Sequence, residues 1–174
     1  SAPNRRFCAK SVPKAKGAVK GHRGRQKHVR KRKGEGNFSV IFGNVTRLSE
    51  QATLYVLHAE ADAMLIAETH LNKVESIAFS INAASKGWSV TSSPARVSDS
   101  GLGTTAGVSI MVGQKWACSP LAIADASGRL TPNCSLTGKV VVMGGVKVLL
   151  LCAYFKCSIG IKGDNVALLT EVKC

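Results

Sequence analysis

The chain has 174 residues, 45% of them apolar, enough for one core of ordinary size. Its net charge of +14 suggests an anionic partner, but residues 1–34 hold 13 Lys or Arg and no Asp or Glu, while residues 35–174 hold 11 basic against 10 acidic side chains. The longest apolar run, Val140 to Phe155, has 16 residues interrupted by Gly144, Gly145 and Lys147, short of the roughly 20 that a membrane-spanning helix needs, so no membrane partner is expected.

The N-terminal charge is followed by no apolar segment of the secretory type. The first residue is Ser rather than Met, so the chain is expected to be a processed product or a fragment. Six cysteines lie at positions 8, 118, 134, 152, 157 and 174, with no CxxC pair and no zinc-finger spacing to the four histidines. Free thiols in a reducing, intracellular compartment are the expectation, with Cys152 in the core. The sequons at Asn37, Asn44 and Asn133 are read as chance matches.

Residues 1–36 read as a basic arm. Its first 34 residues contain only Phe7, Val12, Val19 and Val29 as large apolar side chains, so ordering it would cost about 1–2 kcal/mol per residue with little burial in return. Disorder is predicted. The densest stretch carries Arg23, Arg25, Lys27, Arg30, Lys31, Arg32 and Lys33, a phosphate-neutralising tether without sequence preference. VRKRK at 29–33 also reads as a nuclear address, and a solvated leader without a role is the plainer alternative.

Residues 37–174 read as the domain. FSVIF at 38–42 is a short strand, with Phe38, Val40 and Phe42 on one face. Ser49 is an N-cap followed by Glu50, starting a helix over about 50–60 with Leu54 and Leu57 inward. ADAMLIA at 61–67 suits a buried strand, with helix as its competitor, and ends at Glu68-Thr69-His70. Asn72 and Glu75 form a capping box; Ile77, Ile81 and Ala84 then recur at helical spacing until Gly87. Trp88–Thr91 is a strand, 92–105 a Ser/Gly loop, 107–112 a strand, and 121–124 another. GKVVVMGGVKVLLLCAYF is a hairpin turned at Gly144-Gly145. Residues 165–174 read as a helix still running at the last residue, which again suggests a fragment. The order of strands and helices predicts a mixed α/β layered fold.

Asn44 and Glu68 follow the first and second strands. If those strands are neighbours, an amide and a carboxylate emerge at one sheet edge, a suitable start for a Mg²⁺ site completed by water and phosphate. SVIFGNVTRL, then ADAMLIAETHL about 20 residues on, resembles the opening of the endonuclease/exonuclease/phosphatase superfamily, which includes deoxyribonuclease-type enzymes, abasic-site endonucleases and LINE-type retrotransposon endonuclease domains. The similarity continues in Gly87-Trp88, TTAGVSIMV at 104–112, VLLLCAYF ending near Tyr154, and Asn165-Val-Ala-Leu-Leu. It implies an α/β (α+β) fold, an incomplete four-layer α/β/β/α sandwich. It implies metal-dependent phosphodiester hydrolysis, on DNA ahead of RNA, as the parent activity. Glu68 would ligate Mg²⁺ or Mn²⁺, Asn44 would support the metal or the scissile phosphate, and Tyr154 would contact or orient the phosphate.

The chain departs from the family pattern. Ala67 stands where Gln is common, no Asp-x-Asn pair follows, Gly163-Asp164-Asn165 fits a helix start better, and the final Asp-His pair has no counterpart. Little or no activity is therefore expected of these residues alone. Plainer readings stay open: Glu68 as a polar strand end, Asn44 as a turn residue, Tyr154 as a strand aromatic, His70 as a surface or capping histidine. A nonenzymatic protein binding nucleic acid through its arm is the alternative function.

Overall fold

The computed structural model describes residues 37–98, 100–123, 133–156 and 160–172, which belong to one unit, Gly36–Cys174. The readings made for residues 1–36, including the seven basic residues from Arg23 to Lys33, lie outside the described residues. Nine strands and three helices are described: β1 (Val40–Asn44), α1 (Glu50–Leu57), β2 (Ala63–Ala67), α2 (Lys73–Ser85), β3 (Trp88–Ser93), β4 (Arg96–Val97), β5 (Thr104–Thr105), β6 (Val108–Gly113), β7 (Ala117–Leu121), β8 (Leu136–Met143), β9 (Val146–Ala153) and α3 (Asp164–Val172). The fold is mixed α/β, as expected.

Local chemistry starts both early helices. The Ser49 side chain accepts from the Ala52 amide at 3.2 Å. Asn72 Oδ1 accepts from the Val74 and Glu75 amides while Glu75 Oε2 accepts from the Asn72 amide, a complete capping box. Gly144 and Gly145, at φ 55° and 85°, make the tight turn between β8 and β9 in a backbone region closed to most side chains.

β1 runs parallel to β2, β6 lies antiparallel beside β2, and β3 closes the sheet on the far side of β6. Met64 and Ile66 of β2 join Val56, Leu57, Phe79, Ala83, Trp88 and Met111 in a core under α1 and α2. Ala63, Leu65 and Ala67 face the other way, into a second core with Val108, Ile110, Val112, Val141 and Cys152. Strand β2 is covered on both faces, which explains its unbroken apolar run and settles it as strand rather than helix. The second core lies between this sheet and the antiparallel sheet β7-β8-β9, so three layers stack as α/β/β.

Several inward faces differ from expectation. Leu54 is 59% exposed and Val56 is buried in its place, beside Leu57. In α2 the buried residues are Ser76, Phe79 and Ala83, whereas Ile77, Ile81 and Ala84 face solvent. Periodicity marks two possible stripes on this helix, and the large Phe79 ring fills the space over β2 and β6. Segment 92–105 is not loop throughout, since β4 and β5 pair within it. The strand expected at 121–124 instead ends at Leu121; Pro120 sits inside β7, tolerated because β7 is an edge strand.

Two buried charges hold the frame. Asp62, at the start of β2, accepts from the Ser39 amide (2.8 Å), Ser39 Oγ (2.9 Å) and Trp116 Nε1 (3.1 Å), and pairs with Lys115. Burial raises its pKa, but the hydrogen bonds from Lys115, Ser39 and Trp116 outweigh it and hold the carboxyl well below the usual range. Lys139 of β8, only 1% exposed, spans the two sheets. Its Nζ donates to Ser89 O (3.0 Å), Ser89 Oγ (2.9 Å) and Thr91 Oγ1 (3.1 Å), which uses all three protons. Burial lowers its pKa, partly countered by Cys118.

Candidate functional site

Parallel pairing sets the site. Asn44 lies opposite Ala67 at the last rung of the β1–β2 ladder, so Glu68 emerges one residue beyond it. The neighbouring-strand condition set by the sequence is met. The opposing sheet delivers Tyr154 to the same edge through a chain of backbone bonds. Ala67 pairs with Val108, the Gly107 amide donates to Cys134 O (2.9 Å), and the Tyr154 amide donates to Ser135 O (2.8 Å).

The turn after β2 is held in an unusual conformation. Glu68 and His70 have φ of 57° and 55°, in the left-handed region, on either side of buried Thr69. The Thr69 amide donates to Gly107 O (3.0 Å) and the His70 amide to Ala106 O (3.1 Å). His70 Nδ1 lies 2.6 Å from Thr104 O, and Thr104 Oγ1 donates to His70 O at 2.8 Å. His70 therefore clamps the turn to β5 as a structural histidine. Gly107 is required here: a Cβ at its φ of 87° would meet Thr69 Oγ1 at 2.6 Å. Left-handed non-glycine residues cost about 1–3 kcal/mol and cluster at functional sites. The Thr69–Gly107 lock and the His70 clamp hold the Glu68 backbone in this state.

The Glu68 carboxylate is half-buried, and among the described residues it has no hydrogen bond or ion pair. Asn44 Oδ1 accepts from the Thr46 amide at 3.1 Å, a local turn that fixes the amide at the end of β1. Tyr154 borders the inter-sheet core. A single carboxylate beside an amide fits Mg²⁺ or Mn²⁺, which take hard oxygen ligands and retain several waters. No cluster of three or more His, Cys, Asp or Glu that could hold a metal ion is found among the described residues.

Other sequence candidates resolve differently. Asp164 opens α3, paired with Lys156 (2.8 Å) and Arg96 (3.2 Å), and those cations lower its pKa. Asn165 is buried and bonds the Lys156 amide, Lys156 O and Gly160 O. The pair is thus a helix start, as read. Burial pushes the Cys152 thiol up to about 12, so it is an inert core residue. Cys118 and Cys134 are also free thiols. The site's support was missed in the sequence; its only signal was Ala106-Gly107, two small residues directly before a strand. No helix among the described residues is long and apolar enough to cross a membrane.

No family model and no curated protein matches the chain. Solved structures similar to it include two endonucleases. The endonuclease domain of TRAS1, a telomere-specific non-LTR retrotransposon, has 15% identity and a TM-score of 0.47 over 78% of this chain and 52% of that one. AP endonuclease LMAP from Leishmania major has 17% identity and a TM-score of 0.47 over 78% of this chain and 44% of that one. The chain spans about half the length of both.

Proposed function

We propose that residues 37–174 are the N-terminal portion of a metal-dependent phosphodiester hydrolase of the endonuclease/exonuclease/phosphatase superfamily, acting on DNA. The observation that carries the reading is the β1–β2 register, which places Asn44 beside Glu68, whose carboxylate has no partner among the described residues, on the edge where the end of β9 delivers Tyr154. The ordered sequence resemblance supports it. On this reading the α/β/β stack is part of a four-layer sandwich.

Glu68 and the Asn44 amide would hold Mg²⁺ or Mn²⁺. The bound cation would stabilise charge developing on the phosphate oxygens. Glu68 presents its carboxylate with little reorganisation, because the locked turn fixes its backbone. Asn44, pinned by Thr46, holds one orientation toward the metal or the phosphate. Tyr154 orients the phosphate from the opposing sheet. The 174 residues contain no counterpart of the Asp-His acid/base pair, so we assign them the metal and phosphate end of the site and little turnover alone.

Paramagnetic line broadening by Mn²⁺, read residue by residue on amide resonances, tests the assignment. Broadening centred on residues 44, 68 and 69, lost in Glu68→Gln, is expected. Broadening centred on Asp62 or Asp164 refutes it. Robust chelator-sensitive nicking of supercoiled plasmid, abolished by Glu68→Ala, would overturn the assignment of low turnover.

The charge split favours a second reading, nucleic-acid binding through the arm without catalysis. It requires that deleting residues 1–34 abolish binding, that salt weaken binding steeply and that Glu68→Ala leave it unchanged. Equal binding by the truncated chain sinks it.

A further inference from the structure

Two cations converge on the edge that carries Glu68, one from each sheet. In the four-stranded sheet Asn44, Ala67, Val108 and Ser93 form one row, so the chain leaving β3 emerges on the same edge, two strands or about 10 Å from Glu68. It carries Arg96 on β4, opposite Thr105 of β5, in the ribbon that His70 clamps through Thr104. From the other sheet, Lys156 lies two residues beyond Tyr154. Arg96 Nη2 (3.2 Å) and Lys156 Nζ (2.8 Å) both donate to a single oxygen, Oδ2 of Asp164. The three groups together keep one positive charge.

The cations are fixed more firmly than the carboxylate between them. Buried Asn165 grips the Lys156 backbone on both sides: its Oδ1 accepts from the Lys156 amide (2.9 Å), and its Nδ2 donates to Lys156 O (2.9 Å) and Gly160 O (2.6 Å). The Asp164 side chain is 61% exposed, and ion pairs at that exposure add little stability. We propose that Arg96 and Lys156 form a clamp for a phosphodiester of the nucleic-acid backbone beside the scissile one, with the Asp164 carboxylate holding the phosphate position until nucleic acid displaces it. The identity of the ligand rests on the phosphodiesterase reading above, whereas the clamp rests on the convergence of the two cations. A phosphodiester offers two charged oxygens, one for the guanidinium and one for the ammonium, where Asp164 serves both with one. Asp164 is then a built-in competitor, which an incoming strand must outbid through its further contacts at Glu68 and Tyr154.

Amide NMR of the full 174-residue chain, in chelator and at constant ionic strength, tests the proposal. The probes are a thymidine dinucleotide, which carries one phosphodiester, and inorganic phosphate in a separate titration. Reading shifts residue by residue separates the clamp from the basic arm. The dinucleotide is expected to move the resonances of Arg96, Lys156 and Asp164. Arg96→Gln and Lys156→Gln should each weaken that local binding about fivefold, and Asp164→Asn should tighten it about threefold. The gain from Asp164→Asn should vanish when Arg96→Gln and Lys156→Gln are also present, and Glu68→Gln should leave the clamp unchanged. An unchanged circular dichroism spectrum verifies folding of each variant. No shift at Arg96 and Lys156 overturns the proposal. So does binding that Asp164→Asn fails to tighten, which makes Asp164 only a staple, or binding of inorganic phosphate without the dinucleotide, which makes this a free-phosphate site. Mn²⁺ broadening at Glu68 with no dinucleotide shift refutes the clamp alone. The dinucleotide shift without that broadening supports the clamp and refutes the metal assignment.

Discussion

Replacing Glu68 by Gly is expected to make the protein more stable without metal and indifferent to metal. Glu68 sits at φ 57°, where an L side chain costs about 1–2 kcal/mol and Gly costs nothing. Its carboxylate has no partner among the described residues, so removing it forfeits no hydrogen bond or ion pair there. Against the strain relief stands the extra chain entropy of Gly in the unfolded state, about 0.5–1 kcal/mol. The net gain is about 0.5–1 kcal/mol, a rise of roughly 2–4 °C in melting temperature. Glu68→Ala retains the left-handed backbone and should stay near the parent protein. Metal reverses the ranking: Mn²⁺ at ten times its Kd adds about 1.4 kcal/mol to a protein that binds it and nothing to one that does not. The assay is urea unfolding of the three proteins in chelator and across an Mn²⁺ series. If Glu68→Gly is less stable than the parent in chelator, the turn is not strained as described. If Mn²⁺ stabilises Glu68→Gly as much as the parent, the metal is held elsewhere.

Gly107→Ala should cost about 2–3 kcal/mol, because its Cβ meets Thr69 Oγ1 at 2.6 Å at a positive φ; it should also shift the amide resonances of residues 68–70. A spectrum unchanged at those residues would show that Thr69 does not lock the turn. Asp62→Asn should cost about 1–3 kcal/mol at pH 7, because the Ser39 and Trp116 donors converge on a buried carboxylate, with little from the largely exposed Lys115. The native pKa of Asp62 lies below its unfolded value, so its contribution is full above about pH 4 and lost as pH falls through the native pKa. Urea midpoints from pH 5 to pH 2 should fall less steeply in Asp62→Asn. The native pKa of Lys139 is also lowered, so between it and 10.5 the unfolded chain binds more protons and this residue makes stability rise with pH. Lys139→Met should remove that rise, which matched unfolding curves from pH 7 to pH 10 would detect.

Much of the local structure was legible in the residues because its physics is local. A Ser or Asn side chain reaches amides two or three residues ahead, so Ser49 and the Asn72–Glu75 box marked helix starts without any tertiary context. Gly144-Gly145 specified a turn in the same way. The adjacency of Asn44 and Glu68 depended on one inference, that consecutive strands joined by a helix lie side by side, and the β1–β2 register meets it.

What stayed hidden depends on partners distant in the chain. Spacing pointed to Ile77, Ile81 and Ala84 on α2, and only the position of Phe79 over the sheet decided that Phe79 is buried while Ile77 and Ile81 are exposed. Lys139 reads as a solvated lysine until β8 faces β3, when Ser89 and Thr91, about 50 positions away, accept its hydrogen bonds. The left-handed state of Glu68 is dictated by Thr69 packed on Gly107, a contact across 38 residues. The sequence by itself determined the strands of the four-stranded sheet and the β8–β9 hairpin, the caps, the turn and the nomination of Asn44, Glu68 and Tyr154. Tertiary structure decided which faces are buried, which charges are buried, and how Glu68 is held, because burial and strain are set by surfaces that meet only after the sheets have stacked.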